Sequence, residues 1–258
     1  MKNFIKRYFT PIAICSVALT MMVSSCAKDD YFVDGGPAKA QFDGTVLQYL
    51  QTHSQFDTIA QIVKLAGLEE VFSKEEITFF APTDEVIRRT IGIVNGNVEN
   101  LKNGLNQRLF DARKDTIKVL ADVPSGTWRK FLMRYMFKGK FVLKDYPQLD
   151  FSLKPLYPGG FYLGYNNDLS NIGVVYNSAN NVAYTGYRQL SISYIPDPSS
   201  PGNFIAAAVA SSDIQPTNGV IHALAIRLRD NIGQVLTSPG GNRFGFNDEF
   251  YTEVILAK

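Results

Sequence analysis

The chain has 258 residues with 26 basic and 24 acidic side chains, a formal net charge of +2, and 45% hydrophobic residues. This length suits one or two globular domains. A charge balance so close to neutral gives no support for a nucleic-acid partner or for a basic membrane-binding patch.

The first residues have the order of a lipoprotein signal peptide. Three basic residues precede an uncharged apolar run over 11–23, which is shorter than the roughly 20 residues that a membrane span needs. Small residues then precede Cys26, and Val23-Ser24-Ser25-Cys26 resembles a lipobox, in which the thiol accepts the lipid. We therefore predict a signal peptide at 1–25 and lipidation of Cys26. The alternative is ordinary signal cleavage that leaves the cysteine unmodified.

Cleavage at this position changes the composition of the chain. It removes Cys15 and three basic residues. The expected mature chain then has one cysteine, Cys26, and 23 basic against 24 acidic side chains. A chain with a single cysteine forms no internal disulfide, although export would permit one.

The segment after Cys26 has the composition of a tether. Ala27-Lys28-Asp29-Asp30 resembles the acidic surface-export tag of Bacteroidota lipoproteins, the alternative being a merely solvated linker. Glycine, proline and few large apolar groups over 26–43 predict a flexible tether that places the domain roughly 20–25 Å from the lipid. We expect a lipid-anchored protein of the outer membrane that is exposed at the cell surface.

Helical patterns dominate the first half of the domain. Apolar residues recur at three- and four-residue steps from Val46 to Ala66, with Ser54 as an expected N-cap and Gly67 as an expected stop. A strand is predicted at 77–81, followed by a helix that Thr83 or Asp84 caps. Residues 98–123 are predicted to be mostly helical. A further helix starts at 125 and buries a stripe formed by Trp128, Phe131, Leu132, Tyr135 and Met136.

From residue 141 onward the pattern changes to that of a sheet. The predicted strands are 141–143, 161–165, 172–176, 189–194, 204–210 and 220–229, and 244–256 is expected to add one more. Helices first and strands later indicate an α+β domain. Both faces of 220–229 are mainly apolar, so this strand is expected to be central and covered on both sides.

Two segments resemble the signature of the fasciclin domain. Thr78-Phe79-Phe80-Ala81-Pro82-Thr83-Asp84 is similar to its T-x-F-A-P-T-[ND] motif, with Val86 and Ile87 departing from the usual residues that follow. Asp213-Ile214-Gln215-Pro216-Thr217-Asn218-Gly219-Val220-Ile221-His222 matches its D-x-x-A-T-N-G-V-I-H motif except at Pro216.

The resemblance implies a fasciclin-like fold with N-terminal helices packed on a twisted β-sheet wedge. It places the domain at 44–229, with a helical insertion at about 91–127 and an extension at 230–258. The residues that carry the signature are Thr78, Phe80, Pro82, Thr83, Asp84, Asp213, Asn218, Gly219 and His222. Asn218-Gly219 is predicted to form a turn with positive φ, and Asp213 to accept backbone hydrogen bonds.

One family feature is altered here. Many fasciclin domains carry a Tyr-His pair that has been linked to integrin adhesion in animals. Tyr135 is kept in this chain, whereas Met136 takes the place of the histidine. The resemblance therefore gives little support for an integrin-type site.

The sequence contains no recognisable catalytic or metal-binding motif. Of its two histidines, His53 lies in a polar stretch, and His222 lies in an apolar strand, where we expect a buried imidazole bonded to backbone. We predict no enzyme activity, no cofactor and no transition-metal site, while a calcium site made of loop oxygens stays open.

Tyrosines are concentrated in the sheet half, with eight of the thirteen between 146 and 194. Exposed aromatic rings stack on sugars, but tyrosine also suits half-buried strands. The candidate ligand contacts are Tyr135, Tyr165, Tyr184 and Tyr187.

These observations favour a surface-anchored, non-enzymatic protein that binds an unknown protein or glycan in adhesion. The first alternative is an accessory glycan-binding lipoprotein of a polysaccharide-uptake system. A hydrolase whose carboxylates the sequence spacing does not reveal is a weaker third hypothesis.

Overall fold

The structure is a computed structural model that describes residues 40–96, 104–202, 205–225, 244–246 and 248–258. The predicted signal peptide, Cys26 and the predicted tether up to residue 39 lie outside these residues, as does the end of the predicted strand 220–229. Among the helices described, none is long and apolar enough to cross a membrane.

Seven α-helices are described, and short 3-10 turns connect several of them. They are α1 (Val46–Thr52), α2 (Asp57–Leu65), α3 (Glu69–Lys74), α4 (Asp84–Ile91), α5 (Leu105–Asp111), α6 (Ser125–Leu132) and α7 (Asp248–Ala257). Thr45 begins α1 with a capping box, because its hydroxyl accepts from Gln48 N–H and the Gln48 side chain accepts from Thr45 N–H. Gly67 follows α2 with φ +62°, as expected of a helix stop.

Eight strands of the described residues form one mixed sheet. They are β1 (Gln41–Phe42), β2 (Ile77–Ala81), β3 (Met136–Lys138), β4 (Gly160–Leu163), β5 (Leu169–Tyr176), β6 (Arg188–Tyr194), β7 (Ile205–Pro216) and β8 (Gly219–Leu224). The order is β3-β2-β8-β7-β6-β5-β4, with β1 paired to β7. The pairs β2–β8 and β1–β7 are parallel and the others antiparallel. The fold is α+β, as predicted.

The central pair β2–β8 explains the apolar composition of both strands. Every residue of β2 and of β8 is buried, which confirms the prediction of a central strand covered on both faces. The two strands approach so closely at one end that a Cβ on Gly219 would lie 2.3 Å from the Ile77 carbonyl oxygen. Glycine is therefore required there by packing.

The sheet curls until its two edge strands nearly meet. The Tyr165 N–H, just after β4, donates to the Met136 carbonyl in β3 over 2.8 Å. The sheet is therefore nearly closed, and the helices bury their apolar stripes against it. Trp128, Phe131, Leu132 and Tyr135 are fully buried, as the predicted stripe required.

Four sequence predictions are wrong in this part of the fold. Residues 244–246 and 248–256 form no added strand, because acids in its first turn begin α7, and Phe250, Tyr251 and Val254 then recur at helical spacing. Residues 141–143 form no strand, and β3 lies a few positions earlier. Ser54 lies in a 3-10 turn and makes no cap. The predicted tether 26–43 overlaps β1, so the domain begins before residue 44.

The predicted helical insertion at 91–127 is only partly helical. It contains α5, a 3-10 turn at Leu120–Asp122 and the start of α6. Between α5 and the 3-10 turn the chain has no regular helix, which contradicts the prediction of a mostly helical 98–123. Residues 97–103 lie outside the described chain.

Candidate functional site

The signature residues lie along β2 and β8 and in the loops that flank them, with Asn218 beside one end of this strand pair and Asp84 beyond the other. We call Thr78, Asp84, Asp213, Asn218 and His222 the signature cluster. The Asn218 side chain connects the β7–β8 turn to the start of α1 and to the end of α3. Its oxygen accepts from Val46 N–H over 2.8 Å, at the start of α1. Its amide donates to the Phe72 and Glu75 carbonyls at 3.2 and 2.9 Å. Asn218 therefore caps a helix and fixes a loop, which explains why asparagine is suited to this position.

The predicted turn at Asn218-Gly219 does not use positive φ. Neither residue is left-handed, whereas Asp213 has φ +64°. Aspartate tolerates this region better than most residues because its short side chain bonds locally. The Asp213 carboxylate accepts from Leu143 N–H over 2.7 Å, which confirms its predicted role as an acceptor.

Thr83 and Asp84 were the two candidates to cap α4, and the structure gives them other roles. Thr83 precedes α4 but makes no capping bond, and its buried hydroxyl has no hydrogen-bond partner in the described part of the chain. The Asp84 carboxylate instead accepts from Thr58 N–H over 2.9 Å, so it caps α2. Burial raises the pKa of Asp84, and the bonds from the start of α2 oppose this shift.

His222 is fully buried, as predicted. Its Nε2 lies 3.0 Å from the Phe141 carbonyl, and its Nδ1 accepts from Asp213 N–H over 3.3 Å. Since a carbonyl only accepts, Nε2 carries the proton and the ring is neutral. Burial lowers the pKa of His222 to about 4. The ring packs 4.9 Å from Phe80, and this environment suits a structural role.

The remaining signature residues are also buried. The Thr78 hydroxyl donates to the Gly139 carbonyl over 2.7 Å and accepts from Phe141 N–H over 2.9 Å. Phe80 and Pro82 are buried at the end of β2. The cluster therefore uses its polar groups to join backbone segments of its own chain.

Tyr135 does not fit its predicted role as a ligand contact. Its side chain is fully buried, and its hydroxyl accepts from Gly245 N–H over 2.9 Å. Met136 is buried beside it in β3. The position that is altered relative to the family pattern therefore faces the interior of this protein.

A cleft opens where the sheet fails to close, and we call it the edge cleft. It encloses about 330 Å³ between β3 and β4, and Lys138, Phe141, Tyr162, Leu163 and Tyr165 contribute to its walls. The Tyr165 hydroxyl donates to Glu75 over 2.8 Å. The Lys138 ammonium lies 5.2 Å from the centre of the Tyr165 ring. Tyr165 is thus partly buried in the cleft wall rather than free in solvent.

The outer side of β4 exposes two large apolar side chains, which we call the β4 face. Phe161 is 50% exposed and Leu163 62%, whereas Tyr162 between them points inward to a ring contact with Tyr146 at 5.5 Å. Sequence reasoning missed both residues. The period-two alternation of Phe161, Tyr162 and Leu163 between Gly160 and Gly164 was the available signal.

The β5–β6 loop forms a second concave surface, the hairpin pocket, of about 600 Å³. Tyr187 lines it and is 50% exposed, and Asn180 and Asn181 contribute amides from left-handed positions. Tyr184 is not among the residues that line this pocket; its hydroxyl donates to Asp150 over 2.8 Å and its ring contacts Tyr157. Of the predicted contacts, Tyr187 is therefore the most accessible.

No group of three histidine, cysteine or carboxylate side chains within the described ranges is arranged to hold a metal ion. The exposed apolar positions and the pocket amides are thus the features that suit recognition of a ligand.

The fasciclin domain model matches residues 54–228. The chain belongs to the fasciclin family. The match spans both signature segments and the whole sheet except β1, and fasciclin domains are in general non-enzymatic adhesion modules.

A solved structure of a FAS1 domain pair from the insect cell adhesion molecule Fasciclin I is 15% identical, with a TM-score of 0.39. The alignment covers 70% of this chain and 49% of that structure, so this chain spans about half its length. No curated protein sequence matches this chain.

Proposed function

We propose that this fasciclin protein is anchored to the outer membrane through acyl chains on Cys26 and binds a macromolecular partner in adhesion through its β4 face. The observation that carries this proposal is the pair Phe161 and Leu163, which are exposed side by side along an edge strand. Large apolar side chains grouped at a surface mark protein interaction sites.

The geometry of β4 supports contact with a partner rather than catalysis. β4 is an edge strand that borders the edge cleft, so its exposed side chains are accessible to an incoming protein. Family membership agrees with adhesion in general terms. The lipobox-like segment Val23–Cys26 supports the anchor, because its cysteine is the residue that would accept the lipid. A domain tethered in this way would act on what touches the cell surface.

The adhesion proposal is tested with cells that display the full-length protein. Replacing both Phe161 and Leu163 by Ser should reduce attachment to matrix-coated surfaces at least fivefold, while surface amounts stay equal. Phe110→Ser is the matched control, since Phe110 is 52% exposed on α5 and lies outside the β4 face. Equal attachment by all three forms would refute the role of the β4 face.

The anchor has its own test. Cys26→Ala should release the protein from the membrane fraction, whereas Cys15→Ala should leave it there, because Cys15 lies within the predicted signal peptide. Retention of the Cys26 variant in membranes would show that acylation is not the attachment.

Glycan capture is the second candidate function, and the hairpin pocket favours it. A half-exposed tyrosine next to two exposed asparagines offers a stacking ring and amide hydrogen bonds, the groups that hold a sugar. On a glycan array, Tyr187→Ala should abolish binding to defined sugars while Phe161→Ser leaves it intact. Absence of glycan binding by the unsubstituted protein would dismiss this candidate.

A further inference from the structure

The hairpin pocket lies on a loop whose backbone is held in an uncommon conformation. Three of the seven described non-glycine residues with positive φ belong to the β5–β6 loop: Asn180 at +50°, Asn181 at +62° and Tyr184 at +65°. Asparagine tolerates this region, whereas a side chain as bulky as tyrosine is a genuine outlier there. Strained residues persist only where surrounding contacts hold them, and they are concentrated at sites that bind ligands. Tyr184 therefore indicates a constraint that serves the pocket.

Hydrogen bonds within the loop account for the two asparagines. Ala179 N–H donates to the Val182 carbonyl over 3.1 Å, and Val182 N–H donates back to the Ala179 carbonyl over 2.9 Å. Asn180 and Asn181 thus form a two-residue turn of the kind that needs positive φ at both positions. The Thr185 hydroxyl donates to the Val182 carbonyl over 2.9 Å and so supports the turn from one side. The turn places both asparagines in the wall of the pocket.

The conformation of Tyr184 is explained by a contact with a second loop. The Tyr184 hydroxyl donates to one oxygen of the Asp150 carboxylate over 2.8 Å, and we call this bond the latch. The Tyr184 ring also lies 5.8 Å from that of Tyr157, measured between centroids. Asp150 is itself fixed, since its other oxygen accepts from Ser152 N–H over 2.9 Å and from Leu153 N–H over 3.1 Å. The latch therefore ties the strained loop to a segment whose own geometry is set by hydrogen bonds.

The charged groups near the pocket are engaged by the loop itself. None of the described residues that line the pocket is charged. The Arg188 guanidinium donates to the carbonyls of Tyr184 and Gly186 over 3.2 and 2.8 Å. It also lies 3.6 Å from the centre of the Tyr176 ring, and the Asp150 carboxylate is used by the latch. A ligand therefore meets amides, hydroxyls and one exposed ring, which suits an uncharged molecule that carries hydroxyl groups.

We propose that Tyr184 is a positioning residue of the hairpin pocket, and that the latch holds the pocket in shape for neutral sugar units of a glycan. This inference rests on glycan capture, the second candidate function above. Without the latch, the strain at Tyr184 would favour other conformations of the loop, and a sugar would lose affinity by having to restore the bound one. With the latch, the loop already has the conformation that presents the ring and the amides.

Hydrogen exchange of the full-length protein tests the latch without any sugar. Tyr184→Phe keeps the ring and removes the hydroxyl, so exchange of the backbone amides at 179–182 should become several-fold faster. Tyr157→Phe is the matched control, because the Tyr157 hydroxyl makes no hydrogen bond with the described residues and its ring would stay on Tyr184. This control should leave the exchange unchanged. Equal exchange in the two variants would overturn the latch.

Substitutions of Asp150 show whether the two side chains of the latch act together. Asp150→Ala removes the acceptor and should speed the same exchange. Asp150→Asn retains an oxygen that can accept from the Tyr184 hydroxyl, so it should keep most of the protection. Adding Asp150→Ala to Tyr184→Phe should change exchange at 179–182 no further than Tyr184→Phe alone. An additive effect would show that Asp150 acts on the loop by another route, and would overturn the latch.

A glycan array tests the ligand, with neutral glucan, mannan and galactan oligosaccharides beside oligogalacturonate, which carries carboxylates. The unsubstituted protein should bind neutral sugars alone. Tyr184→Phe should bind the same sugars about fivefold more weakly at unchanged stability to urea, while Tyr157→Phe binds them normally. Preference for oligogalacturonate, or full affinity of Tyr184→Phe, would overturn the inference. Absence of all binding would refute glycan capture itself and this ligand with it, whereas the exchange measurements would still decide the latch.

Discussion

The signature cluster and the β4 face use their side chains in opposite ways. Asn218, Asp84 and His222 direct their polar atoms to backbone groups of neighbouring elements. Phe161 and Leu163 instead leave about half or more of their surface in solvent. The comparison teaches that the motif which identifies this family maintains its fold, whereas a ligand is to be sought on residues outside the motif.

The largest loss of stability is expected from Gly219→Ala, which tests the structural role of the signature residues. The added methyl would lie 2.3 Å from the Ile77 carbonyl oxygen and would force β2 and β8 apart. We expect a loss of about 3 kcal/mol in the free energy of unfolding, measured by urea denaturation. Gly126→Ala in α6 is the control, because no atom lies within 4 Å of its Cβ position. Equal stability of the two variants would contradict the close approach of the strands.

A pH dependence should come from His222. Its pKa of about 4 in the folded chain lies below the ordinary value of 6.5, so the unfolded chain binds the proton more readily. Stability is therefore complete above pH 6.5 and falls as the pH drops towards 4, by about 3 kcal/mol at most. The facing groups are Asp213, whose Oδ1 lies 3.9 Å from Nδ1, and Tyr146, whose ring centroid lies 6.2 Å from that of His222.

His222→Gln isolates that contribution. The variant should be less stable than the unsubstituted protein at pH 7, and the difference between them should shrink as the pH falls from 6.5 to 4. Chemical denaturation at several pH values measures this. A difference that stays constant with pH would show that burial does not suppress protonation of the imidazole.

Asn218→Ala removes one helix cap and two carbonyl contacts. We expect a loss of about 2 kcal/mol, because a cap contributes about 1 kcal/mol and the carbonyls of Phe72 and Glu75 lose their donor. Hydrogen exchange should also increase at the start of α1. Unchanged exchange at Val46 would contradict the capping role.

Substitutions at the neighbouring residues Thr83 and Asp84 should differ in their effect on stability. Asp84→Ala uncaps α2 and should cost about 1 kcal/mol. Thr83→Val removes a buried hydroxyl that has no partner among the described residues, so stability should change by less than about 0.5 kcal/mol. Thermal unfolding of the two variants measures the difference. A larger loss for Thr83→Val would show that its hydroxyl is bonded after all.

The smallest effect on stability is expected on the β4 face. The double change of Phe161 and Leu163 to Ser should alter the free energy of unfolding by less than about 0.5 kcal/mol, since these side chains are largely exposed. The same variant should lose attachment in the adhesion assay. A large loss of stability would mean that the face is part of the core rather than a binding surface.

Sequence reasoning succeeded where local pattern and tertiary contact agree. The apolar composition of both faces of β8 predicted a central strand, and the stripe through Trp128 and Phe131 predicted a buried helix face. His222 could be assigned to the interior because only apolar neighbours surround it in the strand.

It failed where the pattern was ambiguous or the element short. Phe244 and Phe246 alternate as in a strand, yet the rings of Trp128 and Tyr135 bind them next to a helix. β1 has two residues, too few for any period to appear. The β4 face consists of side chains that stay exposed, and a sequence does not show directly which surfaces the fold leaves uncovered.

The pairing of β1 has a mechanical consequence for a tethered protein. Ala40 and Gly44 accept hydrogen bonds from the backbone of Gln215 and Thr217, and β1 runs parallel to β7. Tension from an anchor at Cys26 would enter the domain at this point and act on these bonds together, in shear, rather than peel them apart one by one. In the anchored form that we propose, this tension would act on the joint between β1 and β7, next to the β7–β8 turn that holds Asn218.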